Sequence, residues 1–145
     1  MTLPIVPSVE GPSPRQPWWR RWFGLRSERR AERFLKRKGH RILTRNWRCQ
    51  QGELDLVTRQ GPVLVFVEVR STSHRETESA RLSVDVEKQR RLTQVALVFI
   101  QRYRLFDTPA RFDVVTIAWP KGAHEPFIEH FENAFPAQFQ PSMFA

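Results

Sequence analysis

Apolar and polar positions alternate along this chain with two different periods. Between residues 27 and 38, Ala31, Phe34 and Leu35 recur at helical spacing. Ser27 is placed to cap that segment, Glu28 suits its first turn and Gly39 suits its end. The spacing predicts a helix over 27–38, with Glu28 on the same stripe as the apolar residues. Residues 40–48 read as a first strand with Ile42 and Trp47 as apolar members, 49–52 as a tight turn and 53–59 as a second strand. Gln60 and Gly61 mark a hairpin turn before a third strand over 63–71. The run from Val63 to Val69 is β-branched and almost continuously apolar, which predicts a central strand buried on both faces. A polar loop is expected over 71–82. A long helix is expected over 86–105, capped by Asp85, with Leu92, Val95, Ala96, Phe99 and Tyr103 on its buried face. A strand over 111–119 and a short last strand over 126–131 follow, with a loose or partly helical tail. Helices alternating with strands in this order predict an α/β fold, a mixed β-sheet flanked by helices.

Two acids stand out against this pattern. Glu68 interrupts the most apolar strand, and Asp55 sits in the strand before it. Period two places Leu64, Phe66, Glu68 and Arg70 on one face, and Glu53, Asp55 and Val57 together on one face of the preceding strand. A hairpin of suitable register sets Asp55 beside Glu68. A buried carboxylate without a partner costs several kcal/mol or neutralises itself through a raised pKa. A hard divalent cation such as Mg²⁺, which takes carboxylate and carbonyl oxygens, is the partner such a pair suggests.

Charge sharpens the picture. The chain of 145 residues carries a formal net charge of +9. Residues 1–48 hold 13 Lys and Arg against 3 Asp and Glu, whereas residues 49–145 hold 11 against 12. A basic first third attracts polyanions and releases their counterions on binding, which points to DNA. The other reading is a solvated helix and a basic tail. Length and apolar content suit one domain: a basic, Pro- and Trp-rich flexible arm over 1–24, an α/β domain over 25–135 and a tail over 136–145. The arm lacks the apolar core of a signal peptide, and no run is long enough to span a membrane. Cys49 is the lone cysteine, which excludes an internal disulfide or a cysteine-rich zinc site and suits a cytoplasmic location. The segment Trp18 to Phe23 interleaves rings and arginines, which stack on bases, sit at a membrane surface or simply anchor the arm.

The blocks SERRAERFLKRKGHRIL, RNWRCQQGELDLV, LVFVEVR, SVDVEKQRRL, RFDVV and FENAF occur in an order that resembles the PD-(D/E)xK nuclease superfamily. More narrowly they resemble the bacterial YraN-type family of endonucleases, over residues 24–135. The resemblance implies a restriction-endonuclease-like fold, similar to archaeal Holliday-junction resolvases, and metal-dependent hydrolysis of DNA, on branched or single-stranded substrates. It implies that Asp55, Glu68 and the carbonyl of Val69 ligate one Mg²⁺ or Mn²⁺, and that Glu28 holds a second cation or orients a water. No small-molecule cofactor is implied. Resolvase-like relatives act as dimers, so a homodimer is a further expectation.

Arg70 occupies the place of the motif lysine. An arginine stays protonated and cannot act as a base, though its planar fork can hold a phosphate. Lys88, in the first turn of the second helix, is a substitute of the kind some of these nucleases use. Gln89 beside it is a candidate for facing substrate. The alternative for both is a solvated helix start. Arg29, Arg30 and Arg33 on the first helix, with Arg45 and Arg48 on the first strand, are the remaining candidates for DNA contact. His40, His74, His124 and His130 show no ligand spacing with one another or with Cys49, and are expected at the surface or at strand edges. Asp113 is expected to stabilise its strand or to pair with Arg111. The departure at Arg70 leaves a second class open, a DNA-binding protein that keeps the nuclease fold with little or no catalysis. The Trp/Arg segment alone supports a third, a membrane-associated scaffold.

Overall fold

The apolar run becomes β3, Val63–Thr72, the middle strand of a five-stranded sheet. The structure is a computed structural model that describes residues 18–72 and 84–139, and for 18–24 the backbone alone. Residues 1–17 of the arm expected over 1–24, most of the loop expected over 71–82 and the end of the tail, 140–145, lie outside the described residues, while 18–24 belong to a helix rather than to a flexible arm. On one side of β3 lie β2 (Gly52–Gln60) and the edge strand β1 (Arg41–Cys49). On the other lie β4 (Ala110–Ala118) and the edge strand β5 (Phe127–Phe135). The pairings β1–β2, β2–β3 and β4–β5 are antiparallel, and β3–β4 is parallel from Leu64↔Ala110 to Thr72↔Ala118. Leu64, Val65, Phe66 and Val67 are each at most 2% exposed, as a strand covered on both faces requires.

The two covering layers are helices. Helix α1 (Trp18–Arg37) packs Ala31 and Leu35 against Leu56, Val65, Val67, Val115 and Ile117. Helix α2 (Val86–Arg102) packs Leu92, Val95, Ala96 and Phe99 against Trp47, Val57, Leu64, Phe66 and Val114. Phe99 meets Trp47 edge-to-face at 5.2 Å and Phe66 at 5.7 Å, so one ring ties α2 to β1 and β3. The result is a mixed sheet between two helices, an α/β fold consistent with the restriction-endonuclease-like architecture.

Turn chemistry sets the β2–β3 register. Gly61 adopts φ +57° at the first position of a two-residue loop, and Gln60 then pairs with Val63. Three element boundaries differ from expectation. Helix α1 starts at Trp18, not near residue 27, and Ser27 caps nothing. Its hydroxyl is fully buried and accepts from Trp119 Nε1 at 3.0 Å, a tertiary contact that overrides the capping preference. Helix α2 ends at Arg102, short of residue 105. Strand β5 continues to Phe135 where a loose tail was expected beyond 131. There Phe135 stacks on Phe112 at 4.9 Å, and that apolar contact holds the strand to the sheet.

Candidate active site

The β2–β3 ladder runs from Gln60↔Val63 to Leu56↔Val67. Just beyond its last pair lie Asp55 on β2 and Glu68 on β3. Here a side chain takes over from the ladder, for the N–H of Val69 donates to Asp55 Oδ2 at 2.9 Å. Glu68 is 7% exposed. Asp55 and Glu68 lie close enough to share a hydrogen bond. Burial pushes the Asp55 carboxyl well above the usual carboxylate range; the charges of Glu68 and Glu28 push it further, against the pull of the Val69 N–H.

Glu28 approaches this pair from α1. Burial raises its pKa, a hydrogen bond from Asn46 lowers it, Glu53 and Glu68 raise it again, and Arg48 lowers it. Asn46 lies in β1 with φ +48°, a left-handed conformation that asparagine tolerates better than most residues. Asn46 escaped the sequence reading. Its one signal is that asparagine is depleted in strands, so one within a strand pattern asks for a reason. Among the described residues, Glu28, Asp55 and Glu68 do not bring three carboxylate oxygens within 4.8 Å of one another. Glu28 therefore stands back from the Asp55–Glu68 pair.

Cations face the same acids. Asp85 caps α2 by accepting from the Lys88 N–H at 2.8 Å, which fixes Lys88 in the first turn. From there Lys88 Nζ reaches Glu68 Oε1 at 2.9 Å. Arg70 Nε lies 3.5 Å from that oxygen. Arg48 Nε pairs with Glu53 Oε2 at 3.2 Å, beside Glu28.

The other expected contact residues are dispersed. Gln89 donates to the Val84 carbonyl at 3.0 Å and accepts from Gln138 at 3.2 Å, so it faces its own helix start and the chain end. Arg30 pairs with Glu125 at 2.8 Å, Arg45 pairs with Glu32, and Arg29 and Arg33 are exposed on α1.

Two of the histidines, His40 and His130, are buried rather than at the surface. His40 is 4% exposed, and the His130 side chain is 2% exposed and 2.7 Å from Asp113. With Asp113, one ring nitrogen of each histidine and a carboxylate oxygen lie within 4.8 Å of one another. Linear spacing misses this set because β5 and the start of β1 meet only through the folded sheet. His124 is exposed, and His74 lies outside the described residues. Asp113 does pair with Arg111, at 2.9 Å.

A mixed five-stranded sheet with helices on its faces makes this an α/β protein, consistent with a restriction-endonuclease-like architecture. The chain belongs to the uncharacterised protein family UPF0102, the YraN family, whose model matches residues 27–117. A UPF0102 protein of Pseudomonas aeruginosa is 43% identical over 115 residues, covering 79% of this chain and 92% of that protein. One of Pelotomaculum thermopropionicum is 40% identical over 116 residues, covering 80% and 97%. One of Geobacter metallireducens is 39% identical over 113 residues, covering 78% and 91%.

Proposed function

We propose that this protein is a metal-dependent endonuclease that hydrolyses DNA phosphodiester bonds at Asp55, Glu68 and the carbonyl of Val69. The observation that carries the reading is the Asp55–Glu68 pair, two adjacent carboxylates whose proximity and burial drive the Asp55 pKa upward. A divalent ion held by both carboxylates would relieve that penalty, and the all-oxygen donor set fits Mg²⁺ or Mn²⁺. Such an ion, when bound, supplies a Lewis acid and lowers the pKa of a coordinated water.

The chain's own residues divide the remaining work. Glu28, set back and hydrogen-bonded to Asn46, orients a water or holds a second cation. Arg70 presents a guanidinium that binds the scissile phosphate but cannot take a proton. Lys88, with Nζ beside Glu68, fills the place of the motif lysine. Arg29, Arg33 and Arg48 extend the basic surface for the DNA backbone.

One observation favours a second reading. Lys88 and Arg70 both lie against Glu68 Oε1, and two cations can balance that carboxylate. A nuclease fold balanced in this way can persist as a DNA-binding protein with weak or no catalysis.

The test is cleavage of labelled single-stranded, duplex, flap and four-way-junction DNA in Mg²⁺, Mn²⁺ or EDTA. Cleavage that requires metal and is lost in Asp55→Asn and Glu68→Gln supports the enzyme. Salt-dependent binding with no cleavage in either metal overturns it in favour of the second reading.

A further inference from the structure

We infer that His40, Asp113 and His130 form a binding site for Zn²⁺, separate from the acid pair, that staples the edge strand β5 to the junction of α1 and β1. His40 lies just before β1, Asp113 in β4, and His130 in β5 opposite Val115. All three side chains are buried, at 4% exposure for His40, 0% for Asp113 and 2% for the His130 side chain. Their ligand atoms lie within 4.8 Å of one another.

The independent observation is an orphaned donor atom. His40 Nδ1 is 2.7 Å from Thr58 Oγ1, and Nε2 is buried with no partner. Buried ring nitrogens are normally satisfied, and one left open asks for an explanation. When Thr58 accepts from Nδ1–H, Nε2 carries the lone pair that a metal needs. Burial lowers the His40 pKa, an effect that His130 adds to, Asp113 opposes and Arg111 and Lys38 reinforce.

Two imidazoles and one carboxylate are a zinc donor set, with a fourth position left for water. Mg²⁺ prefers an all-oxygen shell, so the two sites of the molecule select different ions. Two of the three ligands also have outer partners of the kind that orient such sites. Thr58 orients His40. The Asn133 N–H at 2.9 Å and Arg111 at 2.9 and 3.2 Å hold Asp113.

Two cations border the site, and each has somewhere to go. Arg111 stays paired with Asp113 and reaches Gln60 Oε1 at 2.6 Å with the same fork. Lys38 Nζ is 2.7 Å from His130 Nδ1 but also 3.5 Å from Glu132, to which it turns when His130 is ligated. His130 then exchanges its bond to Asp113 or to Lys38 for the metal.

The test titrates the metal-free full chain with Zn²⁺ by calorimetry, with millimolar Mg²⁺ present, and repeats the titration with Co²⁺ to read its visible ligand-field bands. About one equivalent should bind and raise the melting temperature. His40→Gln can keep a hydrogen bond to Thr58 but loses the ligand. Its affinity should fall by at least the roughly 10–100-fold that even outer-shell changes cause, with an unchanged circular dichroism spectrum. Asp55→Asn with Glu68→Gln, and His74→Gln with His124→Gln, should bind Zn²⁺ like the parent. The inference is overturned if the parent takes up no Zn²⁺ below about 100 μM, if His40→Gln binds as tightly, or if either control pair loses the ion. DNA cleavage by His40→Gln reports on the nuclease reading separately, since the acid pair is untouched.

Discussion

Lys88 Nζ stands 2.9 Å from Glu68 Oε1, linking the first turn of α2 to the middle strand of the sheet. Glu68 is 7% exposed whereas the Lys88 side chain is 39% exposed, so the acid depends on the pair more than the base does. Removing Lys88 leaves a buried carboxylate whose remaining cation among the described residues is Arg70 at 3.5 Å. Lys88→Met should therefore destabilise the metal-free protein by about 1–3 kcal/mol. Millimolar Mg²⁺ should recover part of that loss by taking over the neutralisation. Melting curves in EDTA and in Mg²⁺ decide it; a variant as stable as the parent in EDTA contradicts the role.

Asp55 should make the metal-free protein less stable as pH rises. Its native pKa lies above the unfolded one, because burial and the Glu68 charge oppose ionisation. In the window between the two values the native state holds more protons, so its contribution is greatest below the unfolded pKa and is lost as pH climbs through the native pKa. Asp55→Asn should then raise the melting temperature in EDTA at about pH 8, and the gain should shrink towards about pH 5. An Asp55→Asn protein that melts lower than the parent at both pH values contradicts this account.

The pair of Glu32 and Arg45 joins α1 to β1 and works with the opposite sign. Its hydrogen bond to Arg45 holds the Glu32 carboxyl down to about 2, from an unperturbed 4.5, with a smaller contribution from Lys36. The stabilisation is complete above the unfolded pKa and disappears as pH falls through about 2. Arg45 is half-exposed, so solvent screening limits the effect. Arg45→Ala should cost about 0.5–1 kcal/mol near neutrality and less near pH 3. Urea midpoints at the two pH values test it, and a gap that widens in acid refutes it.

Asp113 should be among the costliest polar positions. It is fully buried and accepts from Arg111 twice, from His130 and from the Asn133 N–H. Burial pushes its pKa up, yet the hydrogen bonds from His130, Arg111 and Asn133 outweigh that and hold it below its ordinary value. Asp113→Ala strands the Arg111 charge and should destabilise by about 3–5 kcal/mol. A loss under about 1 kcal/mol in urea unfolding shows that the network carries little.

Much of the frame was legible along the chain. The β-branched run at Val63–Val69 announced a central strand, and period two put Asp55 and Glu68 on compatible faces before any register was known. The stripe through Leu92, Val95, Ala96 and Phe99 and the Asp85 cap foretold α2. Boundaries fared worse where tertiary contacts outbid local preference, as at Ser27 beneath Trp119 and at Phe135 on Phe112. Asn46 was hidden because its role arises from one left-handed φ that aims it at Glu28.

The sequence by itself determined the alternation of helices and strands, the placing of two acids in apolar surroundings and the concentration of positive charge in the first third. These are local or cumulative properties, and periodicity and composition carry them. Tertiary structure alone decided which cations meet the acids, since Lys88 comes from a helix packed across the sheet. It alone brought His40 to Asp113 and His130, because residues 73 and 90 positions apart along the chain become neighbours only once the sheet and the α1–β1 junction are packed together. Contacts of that kind depend on register and layer packing, which no single stretch of chain encodes.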